Sequence, residues 1–269
     1  MKYRSILLVV LFTLFISSCA TSPLGRRQLL LMPEKQMDQL GIASYAEMKK
    51  KQKIDQRGSS NRYVSCVANA ITHELTGKWA KQSWEVTVFE EDSPNAFALP
   101  GGKIGVHTGL FKAAENQHQL AAVLGHEVGH VMAQHGNERV STKMATQTSL
   151  QVVAAVASGA SKEKQQVLGL LGLGAQYGIV LPFSRKHESE ADEIGLDLMA
   201  RAGFDPRESV TLWENMGKLG GDKPPEFMST HPSGSHRIRD LGREMDKAMV
   251  LYKAAQASGK NPQCGSPGK

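Results

Sequence analysis

The chain has 269 residues, enough for one domain with a sizeable core or two small ones. Hydrophobic residues make up 41% and charged residues 22%, which excludes a disordered chain and one densely embedded in a membrane. The formal net charge is +6, with no long basic run or basic-aromatic stripe, so no nucleic-acid partner is expected.

The first element is a targeting segment. Lys2 and Arg4 precede an apolar stretch, residues 6–16, that is too short to span a bilayer comfortably. It ends in Ile16-Ser17-Ser18-Cys19, which resembles the lipobox of bacterial lipoproteins, cleaved before the cysteine. That resemblance implies residues 1–18 as a signal peptide and Cys19 as a lipidated residue that anchors the chain to a membrane. Ala20 after the cysteine resembles outer-membrane sorting in enterobacterial lipoproteins, which places the chain on the periplasmic face of a Gram-negative cell envelope. An ordinary signal peptide, or an uncleaved anchor, is the alternative. Residues 19–33 read as a lipid-anchored tether.

Beyond it, residues 33–53 and 60–76 carry apolar side chains at helical spacing, as in Val64, Val67, Ala68, Ile71 and Leu75. Residues 84–90 alternate and are rich in β-branched types, which predicts a strand. Residues 95–99 and 103–107 flank the turn signal Pro100-Gly101-Gly102 and read as two more strands, giving a sheet of about three. After Gly109 the pattern is helical: 117–135, a pair at 142–158 and 163–177, then 186–202, 206–219 with Pro206 at its start, and about 235–257. The apolar, glycine-rich stretch 167–183 contains Gln176 and Pro182 and reads as a buried or lid-forming hairpin rather than a membrane-inserted segment. Residues 34–260 then form the domain and 261–269 a tail. Cys66 and Cys264 are an even pair in an oxidising compartment, either bridged or two unrelated thiols.

The strongest chemical signal is Leu124-Gly125-His126-Glu127-Val128-Gly129-His130. On a helix, residues four apart share a face, so both imidazoles point to one metal ion. Glu127 projects to the side and can hold a water on the same ion, taking its proton as it attacks a carbonyl. Leu120, Ala121, Val123, Val128 and Val131 make this an apolar helix, where two His and a Glu need a purpose.

The third ligand is less direct. Ala133 and Gly136 stand where an extended metzincin motif requires Gly and His, so that reading fails. His135 lies far round the helix from His130 and reads as a residue near the helix C-terminus, where imidazole suits the dipole. A downstream carboxylate is therefore needed. Glu188 shares a helix face with Asp192, which offers a ligand together with an acceptor for a histidine N–H. Glu190 with Glu193 is a competing pair by spacing.

The H-E-x-x-H helix, the later Glu-x-x-Ala-Asp, the Asn-Ala-Phe-Ala-x-Pro-Gly-Gly segment and Thr-His-Pro…Arg together resemble peptidase family M48, a family of gluzincins. The resemblance implies an α+β, mostly helical, zincin-type metallopeptidase domain whose small sheet packs on the H-E-x-x-H helix. It implies one Zn2+ per chain held by His126, His130 and Glu188, with Asp192 behind a ligand and Glu127 as general base. Asn95, Ala96, Phe97 and Ala98 resemble the family's edge strand, where a polypeptide substrate pairs through its backbone. His231 and Arg237 resemble its residues that bind the oxyanion or gate access. The expected activity is metal-dependent hydrolysis of misfolded or misassembled envelope proteins. A chaperone-like or binding lipoprotein with a latent zinc site is the alternative, although Glu127 would then be unnecessary.

Overall fold

In the computed structural model, which describes residues 19–158, 183–219, 226–231 and 236–268, the first described element is a hairpin within the segment expected as a tether. Strand β1 (Cys19–Thr21) pairs antiparallel with β2 (Arg27–Leu29). The hairpin docks through polar contacts: Gln28 donates to Ala133 O at 2.6 Å, and Leu31 N–H donates to Ser141 Oγ at 2.8 Å. Docking by side-chain amides and hydroxyls leaves no apolar periodicity, and for that reason the segment reads as a tether in the sequence.

Helices α1 (Glu34–Lys51) and α2 (Gly58–Thr72) follow, then strands β3 (Glu85–Phe89), β4 (Ala96–Leu99) and β5 (Lys103–His107). The sheet order is β3-β5-β4, with β5 parallel to β3 and antiparallel to β4. The edge strand β4 packs against the next helix, α3 (Gln117–Met132). Asn116 caps α3, its side chain accepting from the N–H groups of His118 (2.9 Å) and Gln119 (3.0 Å). Leu120, Val123, Leu124 and Val128 of α3 are wholly buried in the main core.

The helix expected over 117–135 stops early. Ala133 ends it, Gln134 takes a left-handed φ of 52°, and α4 (His135–Ser158) begins immediately. A non-glycine residue makes this break, so no glycine marks it. His135 thus stands at the start of a helix and not near a C-terminus. Then come α5 (Arg185–Arg201), α6 (Glu208–Leu219), the short α7 (Glu226–Thr230) and α8 (Arg237–Ala257). Ser184 caps α5 by accepting from His187 N–H at 3.2 Å.

Helix α5 packs against both α3 and α8, and its contact with α3 is backbone to backbone. A Cβ at Gly125 would lie 2.8 Å from Gly195 O, and one at Gly195 would lie 2.6 Å from His126 N. The two glycines let the helices approach closely enough for α5 side chains to reach the α3 imidazoles.

The C-terminal residues do not hang free. Cys66 and Cys264 are joined by a disulfide across 198 residues, Gln117 donates to Pro262 O at 2.8 Å and Ser60 to Pro267 O at 3.0 Å. Closing so long a loop contributes about 2–4 kcal/mol. The signal segment, the helix expected at 163–177 and all of 167–183 except Phe183 lie outside the described residues. Among the described residues no helix is long and apolar enough to cross a membrane.

Candidate metal centre

His126 and His130, one turn apart on α3, turn their Nε2 atoms together, 3.0 Å from each other. Glu188 comes from the first turn of α5. Its Oε2 lies 3.4 Å from His126 Nε2 and its Oε1 3.4 Å from His130 Nε2. His231, just after α7, brings Nδ1 to 3.2 Å from both His126 Nε2 and Glu188 Oε1. One ligand atom from each of these four buried residues lies within 4.8 Å of all the others.

The chemistry of this set fits zinc. With Zn–N and Zn–O bonds of about 2.0–2.1 Å, tetrahedral ligands stand roughly 3.3 Å apart, close to the separations seen here. Neither oxygen of Glu188 accepts a hydrogen bond among the described residues, although both are buried. Burial alone would raise its pKa, but the surrounding His126, His130 and His231 hold the carboxyl far below the usual range. Burial pushes His130 well below its ordinary value, which keeps its imidazole neutral, the form that can ligate. Burial and the Arg237 guanidinium oppose a charge on His126, yet the Asp192 and Glu188 carboxylates prevail and lift it to about 9. The cavity calls for a cation.

The supporting contacts differ for the two imidazoles. His126 Nδ1 meets Asp192 Oδ1 at 2.8 Å, and Arg237 in turn donates to Asp192 at 2.6 Å while stacking 3.5 Å over the Trp213 ring. His130 Nδ1 instead meets His135 Nδ1 at 2.8 Å, and His135 Nε2 meets Glu190 Oε2 at 3.1 Å. Glu190 therefore sits behind the centre, through an imidazole that the pattern of the sequence had assigned elsewhere.

Glu127 is buried between α3 and the edge strand. Its Oε2 accepts from Ala98 N–H at 3.3 Å, and its Oε1 has no hydrogen bond among the described residues. Burial raises its pKa, against the pull of His231 and His126. Of the four expected strand residues, Ala98 is the one shown to hydrogen-bond this carboxylate. Ala96 is buried, Asn95 O accepts from His107 N–H, and the Phe97 ring packs against Phe89 and Tyr45. The sequence reading missed His135, Gly125 and Gly195; the only signals were an imidazole five residues after His130 and the small residues facing each other.

Two imidazoles from one helix and a glutamate from a second, with a carboxylate beside the first imidazole, are the donor set of a gluzincin-type zinc metallopeptidase. The chain belongs to peptidase family M48, whose model matches residues 59–245, and its cofactor is zinc. It is 42% identical over 206 residues to the mitochondrial metalloendopeptidase OMA1 of Arabidopsis thaliana, covering 76% of this chain and 40% of that one. It is 40% identical over 190 residues to the protein of the same name from Schizosaccharomyces pombe, covering 70% and 54%. It is 30% identical over 166 residues to the beta-barrel assembly-enhancing protease of Escherichia coli, covering 60% and 34%. The chain thus spans roughly a third to a half of the length of these relatives.

Proposed function

We propose that the chain is a zinc-dependent endopeptidase, anchored through lipidated Cys19 on the periplasmic side of a bacterial membrane, that cleaves misfolded or misassembled envelope polypeptides. The observation that carries the peptidase reading is Glu127, buried between three converging donors and an edge-strand N–H. The lipobox-like residues 16–19 and the likeness to the beta-barrel assembly-enhancing protease support the envelope location.

Zinc, when held by His126, His130 and Glu188, supplies a Lewis acid that brings a ligated water to a pKa of about 7 and polarises a carbonyl. The remaining work falls to the chain. Glu127 accepts a proton as the water oxygen bonds to the carbonyl carbon. It then returns that proton to the leaving amine as the C–N bond breaks. Its burial favours the protonated form it must pass through. A substrate segment lies extended along β4, over residues 95–98, and pairs with the strand through its backbone. Arg237 donates to Asp192 at 2.6 Å and lies 3.2 Å from Glu188 Oε2, which holds both carboxylates in place.

The test uses the full chain and an unfolded protein, with and without chelator. Wild type is expected to cleave and chelator to stop it. Glu127→Gln is expected to keep zinc and lose about 10²–10⁴-fold in rate. Full activity in that variant sinks the mechanism.

A second reading is favoured by His231. Four protein donors make a closed site, and three leave a position open. His231 Nδ1 lies 3.2 Å from His126 Nε2 and Glu188 Oε1, and on this reading it is a fourth donor that closes the site until it moves away. The binding-lipoprotein alternative is the limit in which that movement never occurs.

A further inference from the structure

The second zinc-facing imidazole is backed by a chain of contacts that ends on the N-terminal hairpin. Arg26, in the hairpin turn, donates from Nε to Glu190 Oε2 at 2.7 Å and clamps Glu138 with both terminal nitrogens, at 2.7 and 2.6 Å. Glu190 meets His135 Nε2, and His135 Nδ1 meets His130 Nδ1. His135 is fully buried and the Glu190 side chain is 5% exposed, so water does not substitute for either contact. Arg26 lies outside residues 59–245, the part that matches the family.

The direction of these hydrogen bonds follows from chemistry. A carboxylate paired with a guanidinium only accepts, so His135 Nε2 carries the proton and donates to Glu190. Neutral His135 then has a bare Nδ1, which accepts from His130 Nδ1–H. His130 is left with its lone pair on Nε2, the atom facing His126, Glu188 and His231. Remove the acceptor and the chain can reverse. His135 Nδ1–H then donates to His130 Nδ1, the proton moves to His130 Nε2, and that nitrogen no longer ligates.

We infer that Arg26 is a positioning residue of the metal centre, which acts through Glu190 and His135 to hold His130 in its metal-binding tautomer. The inference rests on the zinc reading of the site. It makes the hairpin that begins at Cys19 a working part of the centre.

Zinc affinity of the full chain, measured by chelator competition, tests it on Arg26→Met, Arg26→Lys and Glu190→Leu. Melting of the metal-free forms is followed in parallel. One oxygen of Glu190, Oε2, meets both Arg26 Nε and His135 Nε2, so Glu190→Leu removes the acceptor they share and lets the chain reverse. Both Arg26→Met and Glu190→Leu are expected to bind zinc about 10–100-fold more weakly while the metal-free fold persists. Arg26→Lys, which keeps a cation, is expected to regain part of that loss. Wild-type affinity in Arg26→Met and Glu190→Leu overturns the inference. So does collapse of their metal-free fold, which would make Arg26 a strut and nothing more. A wild-type chain that takes up no zinc sinks the zinc reading itself, a result distinct from equal affinities.

Discussion

Asp192 Oδ1 lies 2.8 Å from His126 Nδ1, on the opposite edge of the ring from the Nε2 that faces Glu188. One turn of α5 therefore delivers a carboxylate to each side of the same imidazole. Asp192 fixes the ring and its tautomer, leaving Nε2 free to ligate. Asp192→Asn, which can donate where Asp192 only accepts, is expected to weaken zinc binding about 10–100-fold. Chelator competition reads the change, and unaltered affinity would show that Arg237 alone orients the ring.

The reach of both α5 carboxylates depends on the glycine contact between α3 and α5. Gly195→Ala puts a methyl group 2.6 Å from His126 N and 2.8 Å from Gly125 C, and both are backbone atoms with little freedom to retreat. The helices must separate. The expected cost is about 1–3 kcal/mol of stability, the usual scale of overpacking. Zinc affinity should fall with it, because Glu188 and Asp192 are carried outward together. Gly217→Ala is the control, since nothing lies within 4 Å of a Cβ there. Denaturant unfolding and zinc titration on both variants decide it; equal effects at the two positions count against the argument.

Much of this arrangement is legible in the sequence because it is local. His126, Glu127 and His130 follow from spacing on one helix, and the strands over 85–107 from alternation and a Pro-Gly-Gly turn. What is hidden depends on contacts distant in the chain. Spacing alone leaves Glu188 and Glu190 as rivals, whereas the fold gives both a place, one among the imidazole Nε2 atoms and one behind His135. The break at Gln134 carries no glycine to announce it, yet it swings His135 back beneath His130. The hairpin is opaque for a different reason. Its anchoring partners, Glu138 and Glu190, stand more than 100 residues downstream of Arg26, and its three-residue strands are too short to show a period.

His231 stacks on Phe227 with ring centroids 4.4 Å apart and keeps its backbone N–H on Phe227 O at 2.8 Å. Its Nδ1 is directed at the shared donor cluster and its Nε2 lies 3.4 Å from Glu127 Oε1. It therefore contacts both the metal position and the base. His231→Ala is expected to raise peptide hydrolysis, by opening the fourth position, and to loosen zinc moderately. A fall in kcat with zinc affinity intact would instead make the imidazole a donor to the developing oxyanion. Steady-state kinetics on a fluorogenic peptide, with metal content measured on the same samples, separates the two.

The ion pair that docks the hairpin gives the fold an acid-sensitive seam. Burial disfavours charge on Glu138, but hydrogen bonds from Arg26 and Gln28 outweigh it and hold its pKa below the ordinary 4.5. A carboxylate depressed in the folded state contributes stability that is fully present above its unfolded value and lost as pH falls through the folded one. Wild-type hairpin docking should therefore be constant near neutrality and weaken below about pH 4.5, as Glu138 takes up a proton and releases Arg26. Glu138→Gln should dock more weakly at pH 7 and show a smaller further loss on acidification, since the titrating group is gone. Hydrogen exchange at the amides of residues 19–29, followed from pH 7 to 3 in both proteins and corrected for intrinsic rates, measures this. Parallel profiles in the two proteins would assign the seam to some other group.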